Sequence, residues 1–111
     1  MLKLVLTQGY TFAANDYGRP YAFRIYNEDD TPFDATTYGL PTIKVFGISG
    51  NAAIQPLAGS WTAQNQGAGA FSFAQSNCLT ASGPHYIEVQ LEKPGVATST
   101  GRRRITVTPS P

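Results

Sequence analysis

The segments GAFSF (69–73) and GPHYIEVQL (83–91) decide the fold of this chain. In both, apolar and polar residues alternate, which is the period of a strand with one buried face. The apolar residues on the shared faces are Phe71 and Phe73 in the first segment and Ile87, Val89 and Leu91 in the second. The link between them is rich in Ser, Asn and Gly, so we expect two packed sheets rather than one tight hairpin.

The rest of the chain supplies further short strands separated by turn residues. We predict them at 21–26, 42–48, 57–63 and 103–107, with one or two more between residues 2 and 12. No segment is predicted to be helical, because the one candidate is interrupted by Pro56. About seven short antiparallel strands are typical of an immunoglobulin-like β-sandwich. The sequence therefore predicts an all-β chain that folds as a single domain over residues 1–111.

Strand alternation also predicts the core. The residues placed on inward faces are Leu4, Leu6, Phe23, Ile25, Ile43, Val45, Trp61, Phe71, Phe73, Ile87, Val89, Leu91, Ile105 and Val107. In the last strand, Arg103, Ile105 and Val107 alternate with Arg102, Arg104 and Thr106, so parity places Arg103 on the inward face and Arg104 on the outward one.

Composition argues against several functional classes. The formal net charge is +1, which gives no global electrostatic basis for binding nucleic acid. Cys78 is the only cysteine, so we expect a reduced thiol, in or beside the loop before the final two strands, with neither a disulfide nor a metal cluster. The apolar run 1–7 is too short for a signal peptide, and no stretch reaches the length of a membrane span. We expect synthesis in a cytoplasm and no membrane partner.

No catalytic constellation is predicted. His85 is the only histidine, and a triad would need Ser or Cys, this histidine and a carboxylate to converge. Alternation places His85 on the same face as Ile87 and Val89, at the start of their strand. We therefore favour a structural histidine, and we expect a protein that is not an enzyme and uses no cofactor.

Two other features admit a binding role. Glu28, Asp29, Asp30 and Asp34 form an oxygen-rich cluster, but it lacks the Gly and the late bidentate Glu of a calcium loop. We favour a solvated turn in which Asp34 accepts hydrogen bonds from nearby backbone amides. Trp61 could be a sugar-stacking platform, which keeps a carbohydrate-binding module as an alternative, although a core or cap aromatic is favoured.

The run NEDDTPFDAT (27–36), placed between two strands, resembles a turn in small Ig-like domains of tailed phages. That turn commonly reads Asp-x-x-Gly-x-Pro-x-Asp-Leu-Thr-Gly, and this chain has Thr31 at the Gly. Segments 69–73, 83–91 and 104–107 are similar to later strands of the same domains, with His85 at a usual Tyr. N-terminal domains of phage baseplate upper proteins are the named relatives that this layout resembles.

The resemblance implies a non-enzymatic virion component that docks on a larger assembly. We favour a capsid decoration protein, and a tail or baseplate adaptor is the alternative within the same class. The expected partners are phage capsid or tail and baseplate proteins, with homo-oligomers set by the symmetry of the assembly. The expected location is the virion, after synthesis in the host cytoplasm.

A docking face is predicted from strand parity. The third, sixth and seventh strands of an Ig-like domain share a sheet, and their outward residues here are Lys44, Phe46, Ile48, Tyr86, Glu88, Gln90, Arg102, Arg104 and Thr106. Exposed apolar side chains flanked by arginines have the composition of an interface. The predicted interface residues are Phe46, Ile48, Tyr86, Arg102 and Arg104. Two alternatives are that residues 51–59 fold over these side chains, or that the arginine run only protects an edge strand.

Overall fold

A computed structural model describes residues 2–109, which form an Ig-like sandwich of two packed β-sheets. Its strands are β1 (Lys3–Leu6), β2 (Thr11–Ala13), β3 (Tyr21–Tyr26), β4 (Thr42–Gly47), β5 (Leu57–Ala58), β6 (Ser60–Ala63), β7 (Ala68–Phe71), β8 (Gly83–Lys93), β9 (Val96–Ser99) and β10 (Arg103–Thr108). A 3₁₀ turn at Gln64–Gln66 is the one helical element in this part of the chain. The all-β prediction is confirmed, with ten strands in this part of the chain where about seven were expected.

The strand order is β1-β3-β7-β6 in the first sheet and β2-β10-β8-β4-β5 in the second, with β9 pairing to β8. The predicted third, sixth and seventh strands are β4, β8 and β10, and they do lie together in one sheet. The prediction of purely antiparallel pairing is wrong at one place, because β2 runs parallel to β10. The N-terminal run changes sheet at Gly9, whose φ is 100°, and then continues beside the last strand.

A proline in β8 determines which residues of β10 hydrogen-bond to it. Pro84 lies opposite Thr106 and has no N–H to donate, so this is a non-hydrogen-bonded pair. The Thr106 N–H donates instead to the Tyr10 carbonyl, at 2.9 Å. Ile105 and His85, one position along, then form a hydrogen-bonded pair.

β9 and β10 are parts of one run along β8 that is interrupted at Thr100. The Thr100 N–H donates to the Val89 carbonyl, and the Val89 N–H donates to the Thr100 hydroxyl, both at 3.1 Å. The hydroxyl thus takes the position of a main-chain carbonyl, and the strand pairing resumes at Arg103. The β8–β9 hairpin was not predicted, because the expected strand ended at Leu91.

The core follows strand alternation closely. Every predicted core residue is buried except Trp61, which lies on β6, an edge strand with no neighbour to cover its outer side. The Trp61 ring packs against Phe23, with centroids 6.1 Å apart, and its Nε1–H donates to the Gly39 carbonyl at 2.9 Å. Trp61 is therefore a cap on the sandwich edge. Phe73 is buried as expected, although β7 ends two residues before it.

Other core residues come from segments without a regular period. They include Phe12, Ala14, Ala35, Ile54, Leu57 and Leu79. Conversely, Arg103 was expected on the inward face of the last strand and is exposed. Its guanidinium carbon lies 4.7 Å from the centre of the Tyr10 ring, because the charged end remains solvated at the margin of the sandwich.

The predicted strand 57–63 is two strands in different sheets. β5 pairs with β4 in the second sheet, and β6 pairs with β7 in the first. The chain crosses at Gly59, where a Cβ would lie 2.9 Å from Ile43 Cδ1 and 3.0 Å from the Ala70 carbonyl oxygen. A side chain at this position would therefore have to displace the Ile43 side chain and press on the Ala70 carbonyl, so glycine suits the crossing.

Candidate docking surface

The outer face of the second sheet carries large side chains on three adjacent strands. Phe46 on β4 lies opposite Tyr86 on β8, and Tyr86 lies opposite Arg104 on β10. Lys44 and Glu88 are paired in the next row. We call Phe46, Tyr86 and Arg104 the aromatic row. Their neighbours Val45, Ile87 and Ile105 are buried, so the row points outward, as parity predicts.

Arg102, the residue just before β10, lies beside this row. Its guanidinium carbon lies 3.8 Å from the centre of the Phe46 ring, within the range of a cation–π interaction. A Cβ on Gly50 would lie 3.6 Å from its Nη1 atom, so the side chain reaches the turn after β4. Among residues 2–109, neither Arg102 nor Arg104 forms a salt bridge. The structure thus brings together four of the predicted interface residues.

Ile48 lies beside the row rather than in it. β4 ends at Gly47, and the turn that follows is closed by a hydrogen bond from the Gly50 N–H to the Gly47 carbonyl, at 3.0 Å. Ile48 was predicted on the strand, but it occupies this turn with 68% of its surface exposed. It is an apolar side chain at the rim of the aromatic row.

The segment 51–59 does not fold over the aromatic row, so that alternative is wrong. Ala52 pairs with Phe46 as an isolated bridge, and the Ala53 N–H donates to the Val45 carbonyl at 2.9 Å. These bonds place the segment beside β4, in the plane of the sheet, before Ile54 turns into the core. The side chain that lies over Phe46 is that of Arg102.

The outer face of the first sheet has a different character. Its central row is Ala22, Ala70 and Ser60, on β3, β7 and β6. The adjacent Arg24 lies opposite Ala68. We call Ala22, Ala70 and Ser60 the small row. The two central rows therefore differ in side-chain size, and the aromatic row has the composition of a binding surface.

His85 lies in the core rather than on the docking surface. It is buried, at 6% exposure, on the inward face of β8, as alternation predicts. Its Nδ1 lies 3.0 Å from the Gly83 carbonyl oxygen, to which it can donate. No carboxylate or nucleophile within residues 2–109 forms a hydrogen bond with it.

The acidic cluster 28–34 forms a turn, in which Asp29 and Asp34 bond to neighbouring residues while Asp30 pairs with Lys3 at 2.7 Å. Asp34 Oδ1 accepts the Thr36 hydroxyl and, at 3.0 Å, the Thr36 N–H, so the prediction for Asp34 is confirmed. Asp29 Oδ1 accepts from the hydroxyl and the N–H of Thr31. These bonds, the hydroxyl ones foremost, lower the pKa of both carboxyls. In residues 2–109, no three His, Cys, Asp or Glu side chains are grouped as a metal site would need.

A cleft of about 530 Å³, lined by both polar and apolar side chains, lies beside β2. The Tyr21 hydroxyl donates to Asp16 Oδ2 at 2.7 Å, and Arg19 Nε lies 3.5 Å from the same oxygen. Burial and then the bond to Asp16 raise the pKa of Tyr21 to about 12. The Asp16 carboxylate is therefore already bound to Tyr21 and Arg19, and these contacts stabilise the wall of the cleft.

Cys78 is a free, partly buried thiol between β7 and β8, where the sequence predicted it. Its Sγ contacts the Gln75 carbonyl oxygen at 3.7 Å. Within residues 2–109, no helix is long and apolar enough to span a membrane.

No protein-family model matches this sequence, and no curated protein sequence matches it either. Among solved structures, the chain is similar to CopC from Methylosinus trichosporium OB3b, with a TM-score of 0.54 and 12% identity over 98% of this chain and 95% of that one. It is also similar to the Lin-41 filamin domain, with a TM-score of 0.49 and 9% identity over 96% and 91% of the two chains. At 12% identity, the similarity to CopC is one of fold.

Proposed function

We propose that this chain is a non-enzymatic docking module of a phage particle, and specifically a capsid decoration protein that binds the larger assembly through the aromatic row. The observation that carries the docking role is the row itself, with Phe46, Tyr86 and Arg104 side by side and Arg102 laid over the first ring. A tail or baseplate adaptor would use the same surface.

The chemistry of the row supports a protein partner. Aromatic residues and arginine are enriched at the centres of protein interfaces, where Tyr and Arg often dominate the binding energy. Arg102 and Arg104 make no salt bridge within residues 2–109, so both guanidinium groups can donate paired hydrogen bonds to a partner's carboxylates. Phe46 and Tyr86 lie on neighbouring central strands, so little ordering is required on binding.

The assignment to a phage particle is supported by the resemblance of segments 27–36, 69–73 and 83–91 to Ig-like virion domains. The carbohydrate alternative gains no support from Trp61. That ring packs against Phe23, and its N–H donates to the Gly39 carbonyl, so the contacts of Trp61 stabilise the edge of the sandwich.

Co-sedimentation tests the proposal. The purified chain is mixed with capsids that lack it, from the phage that encodes it, and wild type is compared with the double variant Phe46→Ser/Tyr86→Ser. Ala22→Ser/Ala70→Ser is the matched control on the small row. We expect wild type and control to sediment with capsids, and the folded double variant to bind on the order of a hundredfold more weakly, as for the loss of two interface hot spots.

Three results would contradict parts of the proposal. Undiminished binding of the double variant, or its unfolding in circular dichroism, would show that the row is not the docking surface. Wild-type recovery with tails instead of capsids would identify the adaptor role. Binding of the isolated chain to a glycan array, with no binding to either particle component, would favour the carbohydrate-binding module.

A further inference from the structure

One edge of β10 is only partly covered by a neighbouring strand. It pairs with β8 from Arg103 onward, but β2 covers its other edge only at Thr106–Thr108. Within residues 2–109, no strand lies beside the first half of β10 on that side. The second sheet therefore ends in a short open edge, immediately next to the arginine run.

The main chain of Arg104 faces this open edge. Thr106 and Pro84 form a non-hydrogen-bonded pair, and the Thr106 N–H points away from β8 to Tyr10. Such pairs alternate along an antiparallel ladder, so Arg104 and Tyr86 are the next non-hydrogen-bonded pair. The N–H and C=O of Arg104 consequently point away from β8, where an added strand could bind them.

The edge opens into a groove of about 510 Å³ between β1 and β10. Leu2 and Leu4 line it from the first sheet, and Thr100, Arg102 and Arg103 line it from the second, with Lys3 and Glu28 also at its wall. β1 is the edge strand of its own sheet, so the groove runs between two strand edges on one side of the sandwich. Its apolar wall would be covered by a side chain directed inward from an added strand.

The charge beside the groove favours an acidic occupant. Arg102, Arg103 and Arg104 form no salt bridge within residues 2–109. Arg102 and Arg103 lie over aromatic rings, 3.8 Å and 4.7 Å from the ring centres. Positive side chains without carboxylate partners steer negatively charged segments toward them.

We propose that the open edge of β10 binds an extended acidic segment of a partner protein, which joins the second sheet as an added strand. Its main chain pairs with the N–H and C=O of Arg104, in the manner of β-strand addition. Carboxylates at alternate positions lie on the outer face beside Arg102 and Arg104, and the residue between them covers Leu2 and Leu4. This site is distinct from the rings of the aromatic row and does not depend on the assignment to a phage particle.

Amide hydrogen exchange of the full chain, followed by NMR, tests the pairing directly. The probe is the end-blocked peptide Glu-Val-Glu-Val-Glu, and the control is Lys-Val-Lys-Val-Lys. In the free chain, we expect the Arg104 amide to exchange rapidly and the Ile105 amide to be protected by β8. Saturating acidic peptide should slow exchange at Arg104 by roughly tenfold, the effect of one to two hydrogen bonds. Protection of Arg104 in the free chain, or no change with peptide, would overturn the proposal.

Variants separate the role of the Arg104 main chain from that of the two rings in the aromatic row. Arg104→Pro removes an N–H that β8 does not use, so the fold is retained and peptide binding weakens by roughly tenfold. Phe46→Ser/Tyr86→Ser should leave the exchange effect at Arg104 in place, whatever it does to particle binding. If Arg104→Pro fails to fold, Arg104→Glu decides, because it must reverse the preference from the acidic to the basic peptide. An unchanged preference would show that charge does not select the occupant.

Discussion

Two groups of aromatic side chains in this protein are held in opposite ways. Between the sheets, Phe12, Tyr21, Phe71 and Phe73 pack ring against ring, with centroids 4.7 Å apart for Phe12–Tyr21 and 5.7 Å apart for Phe71–Phe73. We call these four residues the inner cluster. In the aromatic row, the contact on Phe46 is a guanidinium group at 3.8 Å.

The difference shows what each group can do. A ring in the inner cluster can be removed only by leaving a cavity, so its burial stabilises the fold. The cover on Phe46 is a flexible, exposed arginine held by an interaction of about 0.5–1 kcal/mol, which a partner's carboxylate can replace. Aromatic side chains thus stabilise the fold on the inner side of the second sheet, whereas those on its outer side remain accessible to a partner.

The largest expected effect tests the inner cluster. Phe73→Ala should lower the free energy of unfolding by about 3–5 kcal/mol, because a buried ring leaves a cavity that its neighbours cannot fill. Phe46→Ala is the matched outer change and should cost about 1 kcal/mol or less. Chemical denaturation of both variants measures the contrast, and equal losses would end the distinction between the two groups.

A backbone position sharpens the same contrast. A Cβ on Gly69 would lie 2.6 Å from Phe23 Cζ and 2.6 Å from the Ser60 carbonyl oxygen, so Gly69→Ala should destabilise the fold by about 1–3 kcal/mol through overpacking. Its neighbour Ala70 faces outward, and Ala70→Gly should cost only about 0.5–1 kcal/mol. Denaturation midpoints compare the two, and a harmless Gly69→Ala would mean that the inner packing is loose.

The contribution of Tyr21 to the stability of the fold depends on pH. Its folded pKa of about 12 lies above the ordinary value of 10, so folding favours the protonated hydroxyl. Its contribution to stability is complete below pH 10 and is lost as the pH rises from 10 through 12. Tyr21→Phe should cost about 0.5–1.5 kcal/mol at neutral pH. In urea melts, the gap between wild type and variant should narrow above pH 10, and a constant gap would contradict the hydrogen bond to Asp16.

The smallest expected effect concerns the cover on Phe46. Arg102→Gln should reduce stability by about 0.5–1 kcal/mol, because an exposed cation–π contact is lost. Arg102→Lys keeps the charge and should recover part of that loss. A thermal melt in low salt measures both variants, and a loss above 2 kcal/mol would place Arg102 among the residues that hold the fold together.

The inward faces were predictable because alternation depends only on the pleat of a strand. Ile43, Val45, Ile87 and Val89 are buried where the period places them. Phe12 and Leu79 were missed because a three-residue strand such as β2 and a loop are too short or too irregular to show a period. The change of sheet at Gly59 was also missed, since it depends on a close approach to Ile43 and Ala70 that no local pattern encodes.

For the docking surface, parity placed Phe46, Tyr86 and Arg104 on one face, and the register shows that they form a row. The contact between Arg102 and Phe46 could not be predicted, because the two residues come from strands on either side of β8. The open edge at Arg104 could not be predicted from the sequence either. It depends on where β2 ends and on the position of Pro84 in β8.

The place of β10 in the second sheet has a consequence for the time course of folding. This last strand of the sequence lies between β8 and β2, and it is the strand to which β2 pairs. Joining segments 11–13 and 106–108 closes a very long loop, and such distant pairings form slowly, over roughly milliseconds to seconds. During synthesis, β2 can pair only after residues 106–108 have emerged from the ribosome. The domain therefore acquires resistance to proteases in one late step.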